Sequence, residues 1–99
     1  MTSKFKDHVA AERRLAILQT LAESVGYQAN EYTLEALLED LALGVSNARL
    51  RADLAHLAEL GLLETNGVGG VTIAHLTRAG LDAAAGKSQV PGVARPRPE

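Results

Sequence analysis

The chain has 99 residues, enough for one domain with a modest core, and its 46% hydrophobic and 22% charged residues are typical of a soluble globular protein. Cysteine is absent, which excludes disulfides and thiolate chemistry, and no apolar run is long enough for a membrane span, so we expect a cytoplasmic protein. The net charge of −2 argues against strong non-specific phosphate binding, and three aromatic residues are too few for base stacking on single-stranded nucleic acid.

Two amphipathic helices are predicted in the first half of the chain. The first runs from about residue 6 to residue 25 and places Arg13 on its outer, solvent-facing side. Asn30 or Thr33 is expected to cap the second helix, which should end at Gly44. The apolar stripe of the second helix consists of Leu34, Leu37, Leu38 and Leu41.

A tight turn between the second and third helices is the most informative local prediction. Gly44 is expected to adopt a left-handed conformation, Val45 to pack back on the second helix, and Ser46 to cap the third. The third helix should span residues 47–60 and end at Gly61. Two helices joined in this way form a helix-turn-helix.

A β-hairpin is predicted next, with strands at 62–65 and 71–76 around a flexible tip at 66–70. Thr77 is then expected to cap a short last helix, residues 78–85. The resulting fold class is mainly α with a small β-hairpin, namely a winged helix-turn-helix with a three-helix core, a wing and a short C-terminal helix.

The domain is predicted to occupy residues 1–86. Prolines, glycines and charged residues dominate residues 87–99, where apolar residues are few, so this segment is expected to be a disordered Pro-rich tail.

The chain resembles the winged-helix superfamily in its MarR-like and ArsR-like forms. The resemblance is carried by Leu50-x-x-x-Leu54-x-x-Leu57 and by the later Leu76-Thr77-x-x-Gly80-Leu81. A closer resemblance is to small proteins of Mu-like transposable phages and prophages. Its matching stretches include Arg13-Arg14-Leu15, Gly26-Tyr27-Gln28-Ala29-Asn30-Glu31 and Leu76-Thr77-x-x-Gly80-Leu81-Asp82. This second resemblance implies a phage-borne winged helix and does not itself imply an activity.

A winged helix most often binds double-stranded DNA by placing its third helix in the major groove. The residues expected at the DNA are Ser46, Asn47, Arg49, Arg51, Ala52 and His56. A guanidinium can bond guanine O6 and N7 together, so Arg49 is the best candidate for base recognition. Arg51 lies nearer the core edge and suits a phosphate or a neighbouring carboxylate. A phage transcriptional regulator acting as a homodimer, with modest affinity for duplex DNA, is the function this predicts.

Two observations support other interpretations. Arg49 could instead pair with Asp53 at i, i+4 on the helix surface. From residue 33 to residue 60 the chain carries five acidic against two basic residues, a net charge of −3, and the wing tip has no Lys or Arg. The alternative function is therefore a module that binds a phage or host protein, without contacting DNA, during phage development or DNA packaging.

Catalytic and cofactor motifs are not found in the sequence. His8, His56 and His75 are far apart and lack acidic partners at metal-ligand spacing, so no metal site is predicted. Ser46 has no nucleophile-elbow motif around it, and residues 67–70 lack the Gly-Lys-Ser/Thr of a phosphate loop. We therefore expect neither an enzyme nor a cofactor-binding protein.

Overall fold

A computed structural model describes residues 2–98, which form a mainly helical chain with a small antiparallel sheet. The elements in chain order are α1 (Thr2–Glu23), a single 3-10 turn (Val25–Tyr27), β1 (Gln28–Asn30), α2 (Glu31–Asp40), α3 (Asn47–Glu59), β2 (Leu63–Val68), β3 (Val71–Leu76) and α4 (Arg78–Ala84). The predicted helical character is confirmed, and the order of elements is compatible with a winged-helix fold. No helix within residues 2–98 combines the length and apolar character that crossing a membrane requires.

The sheet has the strand order β1-β3-β2, with every pair antiparallel. The predicted hairpin is formed by β2 and β3, whose last paired residues are Val68 and Val71. Its tip is only Gly69 and Gly70, both at positive φ, which is the two-residue turn that matches strand twist. The strands therefore extend further into the predicted tip than expected. β1, which pairs with β3, was not predicted because three residues carry too little pattern.

The core is aliphatic, as the composition predicts. One or more fully buried leucines come from each of α1, α2, α3 and β2, among them Leu18, Leu34, Leu54 and Leu63. All three aromatic side chains lie at the surface. Leucines at helical spacing on three helices thus bury one another against one face of the sheet.

Three predicted helix caps are present. The Asn30 side chain accepts hydrogen bonds of 2.9 Å from two backbone N–H groups of α2, so Asn30 and not Thr33 is the cap. Ser46 accepts from the Arg49 N–H at 3.1 Å. Thr77 accepts from the Gly80 N–H at 3.1 Å, and its hydroxyl donates to the Gly61 carbonyl at 2.6 Å. These bonds satisfy N–H groups that a helix start leaves without partners.

The connection between α2 and α3 differs from the prediction. α2 ends at Asp40, and Ala42, rather than Gly44, takes the left-handed conformation, with φ of 61°. The Leu43 N–H then donates to the Leu38 carbonyl at 2.8 Å, which folds Leu43 back onto the core. The packing of the half-buried Leu43 against the core offsets the strained φ of the alanine before it. The turn spans residues 41–46, so it is twice as long as the three residues expected.

The C-terminal segment is not a free tail in the structure. Pro91 and the positive φ of Gly92 form a turn closed by the Val93 N–H donating to the Val90 carbonyl at 3.1 Å. Val93 is buried, and the Ala94 N–H donates to the Ala11 carbonyl of α1 at 3.1 Å. These few apolar residues, spaced by the turn, thus place the segment against α1 in the structure.

Candidate nucleic-acid interface

Five of the six residues predicted to contact DNA are exposed, and three of them lie on the outer face of α3. Arg49, Ala52 and His56 are exposed, and the helix periodicity placed them correctly opposite the buried leucines. Ala48 and Ala55 are exposed between them, so short side chains make up much of this surface. Ser46 is exposed at the start of the helix, where its hydroxyl is engaged as the cap.

Asn47 is half-buried, and Arg51 is exposed but its side chain reaches across to α2. Both donate to the carboxylate of Glu31, which lies at the start of α2 and is fully buried. The Arg51 guanidinium donates to both carboxylate oxygens, from Nε to Oε1 at 2.7 Å and from Nη2 to Oε2 at 2.8 Å. Of the two partners expected for Arg51, the structure shows the carboxylate. Asn47 was predicted at the DNA, yet its amide also donates to Glu35 at 2.5 Å and is held between two acids.

The Glu31 cluster joins α2, α3 and the hairpin. Besides Arg51 and Asn47, the Thr72 N–H of β3 donates to Glu31 at 2.6 Å. Arg51 also extends to the tip of the β2–β3 hairpin, where it donates to the Gly70 carbonyl at 3.2 Å. The hydrogen bonds from Arg51, then Asn47, then Thr72 hold the pKa of Glu31 well below its ordinary range, although burial alone would raise it. The same carboxylate raises the pKa of Arg51, chiefly through the hydrogen bond.

A second buried acid joins α3 to α1. Asp53 is buried, and its carboxylate accepts from Arg13 Nε at 2.5 Å and from Arg14 Nε at 3.3 Å. Arg14 also donates to the Gly92 carbonyl at 3.0 Å, which ties the C-terminal segment into the same cluster. The placement of Arg13 on the outer face of the first helix was therefore wrong, because its partner lies 40 residues away in sequence.

The alternative pairing of Arg49 with Asp53 is not observed, since Asp53 is turned inward to the α1 arginines. Within residues 2–98, the Arg49 side chain takes part in no salt bridge or side-chain hydrogen bond. The guanidinium of Arg49 is therefore available to a ligand, whereas that of Arg51 is bound to Glu31. These pairings leave the net charge of −3 between residues 33 and 60 unchanged, because Arg13 compensates Asp53 and Glu31 compensates Arg51, each from outside that range.

The histidines lie in separate places. His56 lies beside Gly92 at the C-terminal part of α3, and His75 on β3 forms a 3.1 Å hydrogen bond with the Asn66 side chain. His8 lies 3.6 Å from Glu12 on α1. Over the described residues 2–98, no three His, Cys, Asp or Glu side chains gather as a metal site would require.

Comparison with known proteins finds one curated relative from a phage. The chain is 36% identical over 92 residues to "Uncharacterized protein gp26" of Escherichia phage Mu, and the match covers 93% of this chain and 95% of gp26. No protein-family model matches the chain, and no solved structure matches it. The predicted relation to Mu-like phage proteins is confirmed.

Proposed function

Since the chain belongs to the family of Mu-like phage proteins that includes gp26 of Escherichia phage Mu, we propose that it is a phage winged-helix protein that binds double-stranded DNA through α3. The order α1-β1-α2-α3-β2-β3, with the hairpin beside α3, is the arrangement a winged helix uses. A fold alone does not determine function, so the proposal depends on the surface of α3.

The observation that carries the proposal is the exposed face of α3. The guanidinium of Arg49 stands between the small side chains of Ala48 and Ala52. Small side chains let a helix backbone approach the floor of the major groove, and the guanidinium can then bond guanine in a bidentate way. The acids at 31 and 53, which would repel phosphate, are buried and compensated by arginines.

Arg51 acts in this proposal through the carboxylate of Glu31, which is one of the two kinds of partner that its sequence position suggested. Its guanidinium connects Glu31 to the wing tip, so it orients α3 and the hairpin relative to each other. The wing carries Glu64 and no basic residue between 63 and 71, so it contributes shape and not phosphate affinity. With few cations available, two copies acting as a regulator on paired half-sites would supply the affinity that one domain lacks.

Selection of bound duplexes from a random pool at two salt concentrations tests this proposal. We expect an enriched motif, and Arg49→Ala should lower discrimination at one base pair by about 1 to 3 kcal/mol. Arg78→Ala, which removes another exposed arginine, from α4, is the matched control and should keep the motif. No enrichment at either salt concentration would overturn DNA binding, and an unchanged motif with Arg49→Ala would overturn the role of Arg49.

A protein-binding function is the second candidate, and α2 supplies the observation that favours it. Leu41 is 55% exposed and Leu37 is 37% exposed, next to the acidic Glu39 and Asp40. Exposed leucines beside carboxylates are typical of a surface that docks on an apolar, basic partner. This candidate predicts no duplex binding at physiological salt, together with a partner that the parent retains and Leu41→Ser loses.

A further inference from the structure

A groove lies between the N-terminal half of α1 and the beginning of α3. Its volume is about 480 Å³, and four of its lining residues are cationic: Lys6, Arg13, Arg14 and Arg49. Asp7 is the acidic residue among those that line it, and Val45 belongs to the turn before α3. The groove is therefore the place where basic residues of α1 meet the exposed base-contacting candidate of α3.

The charge of this groove is opposite to that of the whole chain. Asp53 lies behind it and compensates part of the charge of Arg13 and Arg14. With Asp7 and Asp53 set against the four cations, the groove keeps a formal charge of +2, whereas the chain carries −2. A positive cleft on an acidic protein concentrates anions locally, so the ligand it suits is an anion.

We propose that this groove binds a backbone phosphate of the duplex whose major groove receives α3. This inference rests on the proposed function and adds the phosphate contact that the wing cannot supply. Arg49 borders both the groove and the exposed face of α3, so a phosphodiester in the groove lies next to the bases that α3 faces. Lys6 is exposed and belongs to no salt bridge within residues 2–98, which makes its ammonium the main new contact.

Lys6→Gln and Lys4→Gln form a matched pair for the test. Both lysines are exposed on α1, but only Lys6 lines the groove, so each variant loses one charge from the same helix and keeps the fold. Affinity for the selected duplex is measured by fluorescence anisotropy over a series of salt concentrations. Each phosphate contact contributes about 0.9 to the slope of log K against log salt, so Lys6→Gln should lower that slope by about this amount.

The expected result is a lower slope with Lys6→Gln, an unchanged slope with Lys4→Gln and the same preferred sequence for both, because phosphate contacts carry no base information. If the parent binds the duplex and the two variants have equal slopes, the groove is not a phosphate site and the proposed function stands. If the parent binds no duplex, the proposed function and this inference fail together.

Discussion

Replacing Glu31 with glutamine tests whether the buried cluster holds α2, α3 and the hairpin together. The amide keeps the shape of the side chain but has one acceptor oxygen in place of two, and its NH₂ group faces the donors on Arg51, Asn47 and Thr72. A hydrogen bond to a charged group contributes about 1.5 to 3 kcal/mol, and a buried donor left without an acceptor costs a similar amount. The Arg51 side chain is 48% exposed, and its guanidinium can hydrogen-bond to water instead. The lost bonds to Arg51 therefore contribute less to the expected destabilisation than bonds to a buried partner would.

The expected loss in the free energy of unfolding is therefore about 2 to 4 kcal/mol, measured by urea unfolding at pH 7. Glu35→Gln is the matched control, since this half-buried residue on the same helix accepts a side-chain hydrogen bond from Asn47 alone. The control should cost less than about 1 kcal/mol. Equal unfolding midpoints for the parent and Glu31→Gln, or an equal loss in both variants, would refute the reasoning.

The same residue gives a dependence on pH. The pKa of Glu31 is depressed in the folded chain, chiefly by Arg51, from an ordinary value of 4.5. Its contribution is thus complete above that value and is lost as the pH falls toward the folded pKa, because the unfolded chain takes up a proton that the folded chain does not. The loss reaches about 1.4 kcal/mol per pH unit. The stability difference between the parent and Glu31→Gln should be constant from pH 7 to about pH 5 and shrink below it.

Three further substitutions probe the rest of the fold. Asp53→Asn leaves a buried arginine without its carboxylate and should cost about 3 to 5 kcal/mol in urea unfolding, whereas Glu59→Gln on the exposed side of α3 should cost little. Gly80→Ala drives a Cβ into a neighbouring backbone carbonyl and should lower the melting temperature sharply, while Gly67→Ala, which meets open space, should leave it nearly unchanged. Ala42→Gly relieves a left-handed φ and should raise stability by about 1 kcal/mol, and a loss instead would contradict the proposed strain.

Local chemistry predicted the helix starts well and one helix end poorly. The caps at 30, 46 and 77 depend on a side chain that bonds its own backbone within three residues, which the sequence shows directly. The residue at which α2 ends is determined by the packing of Leu43 against the core. That packing is a tertiary contact, which the local sequence does not reveal. An alanine at positive φ has no sequence signature.

The burial of Glu31 and Asp53 could not be predicted from the sequence, for a related reason. A periodicity argument assigns every charged residue to the outside, but Glu31 and Asp53 face inward because arginines 20 and 40 residues away meet them there. The sequence did contain one relevant signal: Glu31 directly follows the cap of α2, where the helix dipole stabilises an acidic side chain. That signal explains an acid at the position and not its burial. The exposed part of the candidate site, centred on Arg49, followed from periodicity alone.

Polar links hold α3 from two sides, through Arg51 to the hairpin and through Asp53 to α1 and the C-terminal segment. Leucine contacts alone would allow a helix to roll slightly about its axis, whereas bidentate and buried ion pairs fix its angle. A ligand that meets α3 therefore encounters a surface already set in its final orientation. Little conformational entropy is left to lose on association, so even a small contact area on this helix can translate into usable affinity.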